Sequence, residues 1–363
     1  MAVATRAPGT REELAAALAE AGEAGTPVRF RGGGTKLHWP PAAPPDAIEL
    51  STAGLTKIVE HNAGDLTAVL EAGVPLAEAQ ALFAKEGQRL ALDPPDEGAT
   101  IGGVVATGDT GPLRGRYGGP RDLVVGVRVA LSDGTLAKSG GKVIKNVAGY
   151  DIAKLFGGSF GTLGAIVEVS VRLHPVAPDT ATAIGEARDI DELARGAAAI
   201  GGSALEHHGI DIRFSGGRGA VLVRFAGAVP RPQAEAAEQL LREEGLATEI
   251  VDDDEAIWDE QRAAQRGPLV VKVSSLPTRL PELLRAADEL GGSVVGRAAL
   301  GLSWVRFEEP SLAAVERLRR DYIAVVQDRP GDLDVDPFGP PDPTTRALMQ
   351  RVKERFDPAG VCV

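Results

Sequence analysis

The sequence has 363 residues, a formal net charge of −12 and a single cysteine, Cys362. This length accommodates two domains with sizeable cores, and the acidic balance, without a Lys/Arg cluster, argues against a nucleic-acid partner. One cysteine excludes disulfides within the chain, cysteine-ligated iron–sulfur clusters and cysteine-rich zinc sites. No apolar run approaches the roughly 20 residues of a membrane span, and the first residues lack signal-peptide features. We therefore expect a cytoplasmic protein, with a peripheral place on the inner membrane face left open.

The first half is predicted to combine short strands with two helices. Thr10 and Glu13 have the spacing of a capping box ahead of a first helix, and a strand then runs into three glycines at 32–34. Pro75 and Gly87 bracket the second helix. Residues 91–122 are nearly all turn formers and are predicted to form a loop. Further strands are predicted at 47–52, 66–73 and 164–173, and Asp133–Gly134 marks the turn of a hairpin.

The pattern of predicted elements changes after Pro175. Residues 174–183 are interpreted as a linker, and three predicted strands then alternate with three predicted helices, which suggests a compact α+β unit. A last amphipathic helix is predicted to end at Asp357–Pro358. The predicted domains are 1–176, 177–341 and a C-terminal helix at 342–363.

Four glycine-rich stretches lie in the first half, at 31–35, 98–111, 116–119 with 140–141, and 157–164. Glycine permits positive φ and close backbone approach, and successive N–H groups in such turns bind anions. The known single-loop motifs do not fit, because Thr35 precedes Lys36 and Leu37 is the sixth position counted from Gly32. The protein is therefore not a Rossmann protein by its motifs, and a large phosphate ligand bound across several loops is left open.

The order of the motifs RGGGT, GATIGGVVATGDTGPLRGRYGGPRD and GGKVIKNVAGYDIAKLFGGSFGTLGAIVEV resembles the FAD-binding domain of the vanillyl-alcohol oxidase superfamily, the PCMH-type domain. The resemblance covers residues 8–176, and residues 140–164 are similar to the FAD-binding subunit of bacterial glycolate oxidase. The FDP ending of that family reappears at 356–358. The implied fold is α/β (α+β): a two-subdomain PCMH-type domain, an α+β cap domain, and a C-terminal helix that returns to the FAD domain.

The resemblance implies that FAD is the cofactor and lies extended between two subdomains. Covalent members attach the flavin to a histidine in or near the first glycine loop, whereas His38 lies past that turn here, and no cysteine lies near 100–160. We therefore expect non-covalent FAD. The residues implied to bind it are Arg31, Gly32, Gly33, Gly34, Thr35, Pro94, Pro95, Thr100, Ile101, Gly102, Gly103, Ala106, Thr107, Arg116, Tyr117, Gly161, Thr162, Gly164, Ile166 and Val167. Lys142 and Lys145 are candidates either to pair with phosphate or to brace the following helix.

Three predicted cap strands each carry one cation among apolar residues, namely Arg224, Lys272 and Arg306. If helices cover the apolar face, the three cations share the other face, which the resemblance places toward the flavin ring, where they would hold a substrate carboxylate. The alternative is a solvated face, or salt bridges to Glu308 and its neighbours. Tyr117 follows the flavin-binding segment directly and is the fourth candidate catalytic residue.

The cap lacks the H-x-G-D-G-N motif of hydroxy-acid dehydrogenases, because no histidine follows His208. His207 and His208 are adjacent and would point to opposite faces of a strand, so we expect no metal site. The leading hypothesis is an FAD-binding subunit of a glycolate-oxidase-like 2-hydroxy-acid dehydrogenase, with hydride transfer from the α-carbon to flavin N5. Such a subunit implies a partner catalytic flavoprotein subunit and an iron–sulfur subunit. The alternatives are a free-standing flavin alcohol oxidase or dehydrogenase, and a non-catalytic flavin-binding scaffold or electron-relay subunit.

Overall fold

The computed structural model describes residues 4–141 and 152–363. Lys142 and Lys145 lie outside the described residues. The chain divides into two compact units. The first comprises Met1–Thr110, Tyr117–Val176 and Pro341–Val363, and the second comprises Gly111–Arg116 and Ala177–Pro340. Helices and sheets occur in both, and the predicted mixed α/β class is confirmed.

The elements up to Pro175 are β1 (Thr5–Arg6), α1 (Arg11–Ala24), β2 (Val28–Arg31), β3 (Ile48–Ser51), β4 (Ile58–Asn62), β5 (Thr67–Glu71), α2 (Leu76–Ala84), β6 (Gln88–Arg89), α3 (Ile101–Thr107), α4 (Arg114–Tyr117), α5 (Pro120–Leu123), β7 (Val124–Ala130), β8 (Leu136–Gly140), α6 (Ile152–Phe156), β9 (Ala165–Arg172) and β10 (His174–Pro175). They form a parallel sheet in the order β1-β3-β2, an antiparallel sheet in the order β4-β5-β9-β7-β8, and the small pair β10-β6.

The remaining elements are β11 (Asp179–Ala187), α7 (Ile190–Gly201), β12 (Gly209–Ser215), β13 (Arg218–Gly227), α8 (Arg231–Glu243), β14 (Ala247–Val251), α9 (Glu255–Ala263), β15 (Leu269–Ser274), α10 (Leu280–Glu289), β16 (Ser293–Arg297), β17 (Leu302–Phe307), α11 (Leu312–Asp321), β18 (Ile323–Asp328) and α12 (Pro343–Phe356). Short 3-10 turns occupy Pro277–Arg279 and Ala298–Leu300.

Helix α1 begins as the sequence predicts. The Thr10 hydroxyl accepts a hydrogen bond from the N–H of Glu13 at 3.1 Å, and the Glu13 carboxylate accepts one from the N–H of Gly9 at 2.8 Å. Gly25 ends the helix in the left-handed conformation, with φ of 65°. The buried face of the helix, including Leu14 and Leu18, packs with the strands of the parallel sheet in one apolar cluster. Satisfied end groups and an apolar stripe together explain why this segment is helical.

The predicted loop at 91–122 is wrong at residues 101–107, which form helix α3. The Thr100 hydroxyl caps the helix by accepting from the N–H of Gly103, and Gly108 ends it with φ of 64°. The two glycines inside the helix lower its intrinsic propensity, and this hid the segment from the sequence pattern. Gly102 is required because a Cβ there would lie 2.6 Å from the Cβ of Ala72. Packing therefore overrides propensity at this point.

The second unit is built on one eight-stranded antiparallel sheet, in the order β14-β11-β13-β12-β16-β17-β15-β18. Helices α7, α8, α10 and α11 contribute to the large apolar cluster on one face. Trp258 of α9 packs on the opposite face, against Ile184, Ala220 and Leu222. Strand β10 covers 174–175 and strand β11 begins at Asp179, so most of the predicted linker at 174–183 is strand.

The segment after α12 is held by a buried carboxylate in the first unit. Asp357 is 1% exposed and accepts hydrogen bonds from Lys353 Nζ at 2.6 Å and from the N–H of Cys362 at 2.9 Å. Val361 and Val363 bond to the backbone of Val28, so the segment extends the sheet beside β2. Burial raises the pKa of the Cys362 thiol to about 12, which leaves it protonated and unreactive at neutral pH.

No helix of the described residues has the length and apolar character needed to cross a bilayer.

We predict that Asp357→Ala lowers the free energy of unfolding of the first unit by about 2–3 kcal/mol at pH 7. The substitution removes the buried carboxylate that accepts the hydrogen bonds of Lys353 and Cys362. Burial alone would raise the pKa of Asp357, but the bonds from Lys353 and Cys362 bring it below the ordinary 3.8. This contribution is therefore complete above that pH and is lost as the pH falls through the folded-state pKa. Urea unfolding at pH 7 and pH 3 measures both effects. Asp46→Ala, at an exposed aspartate, should stay within about 0.5 kcal/mol of the parent protein.

Candidate functional site

An open groove in the first unit brings together the glycine-rich segments. Its empty space amounts to about 830 Å³. Four stretches of sequence supply most of its wall, at 29–37, 99–107, 160–166 and residue 363. The lining residues are Arg29, Phe30, Gly32, Gly33, Gly34, Thr35, Lys36, Leu37, Pro40, Thr52, Ala72, Ala99, Thr100, Gly102, Gly103, Ala106, Thr107, Phe160, Gly161, Gly164, Ala165, Ile166 and Val363.

The loop that follows β2 is rich in glycine because it packs directly on residues 98–100. A Cβ on Gly33 would lie 1.8 Å from the carbonyl oxygen of Gly98, and a Cβ on Gly32 would lie 2.3 Å from the hydroxyl of Thr100. Gly34 adopts φ of 79°, a conformation that side chains rarely allow. The two loops therefore meet through the backbone of Gly98 and the hydroxyl of Thr100, and their contact forms one side of the groove.

The same loop supplies unused hydrogen-bond donors. Among the hydrogen bonds of the described residues, none is donated by the backbone N–H groups of Gly32, Gly33, Gly34 or Thr35. Successive unpaired N–H groups in a turn form a concave anion-binding surface. By contrast, the first N–H groups of α3 are already bonded: Ile101 donates to Val74, and Gly102 donates to Ala72. The donors available to a ligand thus come from the loop at 32–35.

Positive charge exceeds negative charge at the start of this loop. Arg29 and Arg31 both pair with Glu49, whose carboxylate is 5% exposed. Burial alone would raise the pKa of Glu49, but the two guanidinium groups bring it below its ordinary value. Arg29 lines the groove, and its Nε is buried without an acceptor among the described residues. One carboxylate cannot neutralise two guanidinium groups, so this end of the groove favours an anion.

Lys36 fixes the far end of the loop. Its Nζ lies 2.9 Å from a carboxylate oxygen of Asp96 and 3.2 Å from one of Asp109, and it donates to the Thr35 hydroxyl at 3.1 Å. Because the Thr35 oxygen accepts from Lys36, its own proton is directed elsewhere and is available to an acceptor in the groove. The sequence pattern did not single out Lys36, although its place after the glycines was a usable signal.

The third wall comes from residues 160–166. Gly161 and Gly164 adopt φ of 83° and 133°, and a Cβ on Gly164 would lie 2.6 Å from the carbonyl oxygen of Ala130. The N–H of Phe160 donates to the carbonyl of Ala106 at 2.8 Å, which ties this wall to α3. Lys353 Nζ donates to the carbonyl of Thr162 at 2.7 Å, so α12 also supports the turn.

Most of the residues predicted to bind the cofactor line this groove. They are Gly32, Gly33, Gly34, Thr35, Thr100, Gly102, Gly103, Ala106, Thr107, Gly161, Gly164 and Ile166. The structure places the others outside its lining: Arg31, Pro94, Pro95, Ile101, Arg116, Tyr117, Thr162 and Val167. Ile101 and Val167 are completely buried in apolar surroundings, so they support the wall from behind. Their direct role with the cofactor stays a prediction.

The three predicted cap cations lie on one face of the eight-stranded sheet. Strand register places Lys272 opposite Trp304, two residues from Arg306, and places Arg224 opposite Gly209, two residues from Asp211. Asp211 is in turn opposite Arg297 in the neighbouring strand pair. Residues paired across strands point to the same side, so these side chains share the face on which α9 packs.

Two of these cations have acidic partners. Arg224 is buried and bonds to both carboxylate oxygens of Asp254, at 2.7 and 3.1 Å, and to Glu255 at 2.9 Å. Arg306 pairs with the exposed Glu308 at 2.6 Å. The Lys272 ammonium lies 5.7 Å from the ring centroid of Trp304, within cation–π range. Arg224 is therefore held by two carboxylates, and the catalytic roles of all three cations stay predictions.

A buried ion pair lies on the same face. Asp211 accepts from Arg297 at 3.1 Å and from Gln261 at 3.0 Å, and both ionised groups are almost fully buried. Burial raises the pKa of Asp211 to about 6 despite these bonds. Arg297 also donates to the carbonyl of Gly111 and contacts Trp304 at 4.7 Å. This pair fixes the segment Gly111–Arg116 within the second unit.

Tyr117, the fourth predicted catalytic residue, is in the first unit beside two basic side chains. Its ring lies 4.6 Å from the ring of His174, and the Arg89 guanidinium donates to its hydroxyl at 3.3 Å. Neither partner was singled out from the sequence. His38 is exposed and is absent from the lining of the groove.

The observed donors and charges suit a dinucleotide. Four unpaired amides, the excess of positive charge at Arg29 and Arg31, and an elongated wall of glycine and small apolar residues fit a diphosphate with extended ends. Residues 2–140 match the family described as FAD binding domain. The predicted resemblance to FAD-binding, glycolate-oxidase-like proteins is confirmed, and so is the prediction of FAD as cofactor.

Named relatives define the resemblance further. The chain is 37% identical over 168 residues to D-lactate dehydrogenase of Archaeoglobus fulgidus, covering 46% of this chain and 38% of that protein. It is 41% identical over 120 residues to glycolate oxidase subunit GlcE of Escherichia coli (32% and 34%), and 34% identical over 194 residues to glycolate oxidase subunit GlcD of Bacillus subtilis (52% and 40%). The matched region is less than half the length of each of these relatives.

A solved structure of alkyldihydroxyacetonephosphate synthase superposes with a TM-score of 0.74 at 15% identity, covering 99% of this chain and 76% of that one. At this identity the likeness shows the fold alone. It extends the shared fold beyond the FAD binding domain to nearly the whole chain.

We predict that Gly33→Ala removes most bound FAD, with binding at least tenfold weaker, because the added Cβ must push apart the loops that present the amides. Tenfold corresponds to about 1.4 kcal/mol. The ratio of visible to ultraviolet absorbance of the purified protein measures FAD content, and far-UV circular dichroism verifies folding. Gly64→Ala is the matched control, since its Cβ would meet only the Asn62 side chain, at 3.6 Å. Full FAD content in a folded Gly33→Ala variant would contradict the role assigned to this contact.

Proposed function

We propose that the protein is the FAD-binding subunit of a glycolate-oxidase-like 2-hydroxy-acid dehydrogenase that oxidises glycolate or a related hydroxy acid. The observation that carries the proposal is the groove of the FAD binding domain, with its unpaired amides at Gly32–Thr35. The names of its relatives support hydroxy-acid chemistry, since they include D-lactate dehydrogenase, glycolate oxidase subunits and D-2-hydroxyglutarate dehydrogenase.

In this proposal the protein supplies binding and orientation. FAD, when bound non-covalently, supplies the two-electron acceptor that the oxidation of an alcohol needs. The amides at 32–35 and the Thr35 hydroxyl hold the diphosphate, and Arg29 offsets its charge. The apolar side chains of Ala106 and Ile166 exclude water from the adjoining wall. These groups lie on short, well-packed segments, so they bind without large rearrangement.

The substrate would be held through its carboxylate. Lys272 and Arg306 are the predicted cap residues proposed for this contact, whereas Arg224 is engaged by Asp254 and Glu255. A cation beside a carboxylate gives a charge-assisted hydrogen bond, roughly twice as strong as a neutral one. Tyr117 is proposed to contact the reacting end of the substrate through its hydroxyl.

Partner subunits are part of the proposal. The sequence has one cysteine, Cys362, which is buried with a raised pKa, so an iron–sulfur cluster would have to be held by another chain. The histidine-rich H-x-G-D-G-N motif is missing from the second unit, which assigns metal-assisted steps to a catalytic flavoprotein partner. The names of the glycolate oxidase subunits support a multi-subunit assembly.

A non-catalytic flavin scaffold or electron-relay subunit is the second candidate. It is favoured by the ion pairs of Arg224 and Arg306, which leave less positive charge for a substrate than the sequence pattern suggested. A free-standing flavin alcohol oxidase or dehydrogenase is the remaining alternative. Reduction of bound FAD in the isolated chain separates the catalytic candidates from the scaffold.

The deciding experiment begins with the purified chain, its visible spectrum and acid precipitation, followed by anaerobic titration with glycolate and D-lactate. We expect a yellow supernatant, since no covalent tether is predicted, and bleaching of the flavin band by a hydroxy acid. A yellow supernatant without bleaching would support the scaffold or relay function. A colourless protein that takes up no added FAD would overturn the assignment of the groove.

We further predict that Lys272→Gln raises the KM for the hydroxy acid about 10- to 100-fold, because a charge-assisted bond to its carboxylate is lost. FAD content should be unchanged. Lys138→Gln, at an exposed lysine on β8, is the matched control and should leave both quantities unchanged. If the two variants behave alike, Lys272 has no part in binding the carboxylate.

A further inference from the structure

A cluster of three donors lies at the small antiparallel pair of strands in the first unit. Arg89 of β6 is directly opposite His174 of β10 in the strand register. Tyr117, the last residue of α4, joins them: its ring centroid is 4.6 Å from that of His174 and 5.2 Å from the Arg89 guanidinium carbon. All three side chains are half-buried, so they are fixed by packing and still reachable from solvent.

The arginine of this cluster is incompletely satisfied. Arg89 Nη2 donates to the Tyr117 hydroxyl at 3.3 Å, whereas Arg89 Nε is buried and has no acceptor among the described residues. Nε and Nη2 form the side edge of a guanidinium, which can bind both oxygens of a carboxylate at once. A buried donor without an acceptor is costly, so this edge is suited to an acceptor that is not part of the described chain.

Charge at the cluster is also uncompensated. Among the ion pairs of the described residues, none includes Arg89 or Arg172. Burial is the largest cause that lowers the pKa of His174, and the positive charges of Arg172 and Arg89 lower it further. Two other buried or partly buried cations have carboxylate partners: Arg29 has Glu49, and Arg297 has Asp211. The cluster differs from those two sites because no ion pair of the described residues supplies it with an acid.

We propose that Arg89, Tyr117 and His174 form a binding site for a small carboxylate, with the carboxylate on the side edge of Arg89 and within reach of the Tyr117 hydroxyl. Arg172 adds positive potential without direct contact. Given the function proposed above, on which this assignment of ligand class rests, the natural occupant is the carboxylate of a hydroxy-acid substrate or of its keto-acid product. The cluster is thus an alternative to Lys272 and Arg306 for this contact, and the KM values of Arg89→Gln and Lys272→Gln decide between the two. Tyr117 would then bind substrate as a member of this cluster.

The test uses the FAD-loaded chain and oxalate, a carboxylate that cannot reduce flavin. Calorimetric titration should show oxalate binding to the parent protein, about 10- to 100-fold weaker binding to Arg89→Gln, and a few-fold loss in Tyr117→Phe. Arg172→Gln should show a small loss that disappears at high salt, because it acts through potential alone. Arg188→Gln is the matched control: an exposed arginine without an ion pair among the described residues.

Arg89→Lys is the variant that separates loss of the binding site from loss of the fold, since it keeps the positive charge but not the two-donor edge. It should bind oxalate clearly more weakly than the parent protein. Equal oxalate affinity in the parent, Arg89→Lys and Arg89→Gln proteins would overturn the proposal, as would binding of inorganic phosphate with no binding of oxalate.

The outcomes also separate this proposal from the proposed function. Oxalate binding that depends on Arg89, without reduction of FAD by any hydroxy acid, supports the site and contradicts the enzymatic function. Reduction of FAD with the same KM in the parent and Arg89→Gln proteins supports the function and overturns the site.

Discussion

The close contact of Gly32 and Gly33 with the Thr100 hydroxyl and the Gly98 carbonyl is the constraint on which the groove depends. It leaves no room for a Cβ on either glycine, because the nearest oxygens would be 1.8 and 2.3 Å away. One of these oxygens, the Thr100 hydroxyl, also caps α3, so a single contact joins the loop after β2 to the helix that forms the next wall. Because Gly32 and Gly33 bring no side chain of their own into this contact, the amides at 32–35 stay available to a ligand. This is the physical reason for glycine at these two positions.

Charge compensation divides the basic residues of the described chain into two groups. Lys36, Arg224 and Arg297 are buried beside carboxylates, which offset the cost of removing an ion from water and leave those cations engaged. Arg29 shares one carboxylate with Arg31, and Arg89 has none among the described residues. Both keep a buried Nε without an acceptor there. The second group marks where anions are expected, because an anionic ligand would supply the missing charge and accept from the unsatisfied Nε.

The sequence was sufficient for features set by local rules and insufficient for those set by distant contacts. The cap at Thr10, the hairpin turn at Asp133–Gly134 and the end of α12 at Asp357 depend on neighbouring residues, and each is found in the structure. Helix α3 was hidden because Gly102 is explained only by contact with Ala72. The alternation around Arg224 was a usable signal for its face of the sheet, but its engagement with Asp254, thirty residues later, was not readable from that alternation. Arg89 and His174 escaped notice because a two-residue strand pair carries no periodic signal.

The groove is assembled from segments far apart in the sequence, and this ties cofactor binding to folding. Its wall includes residues 29–37, 99–107, 160–166 and Val363, and Val363 is fixed by its hydrogen bond to Val28. None of these segments can present its donors before the others are in place, so the unfolded chain has no comparable affinity for FAD. A ligand that binds only the folded state stabilises it in proportion to the logarithm of its concentration relative to Kd. The glycines weaken the loops in the free chain, but they belong to a unit whose stability rises once its cofactor is bound. The Asp357 network holds the segment that carries Val363. It therefore contributes both to the stability of this unit and to its affinity for FAD.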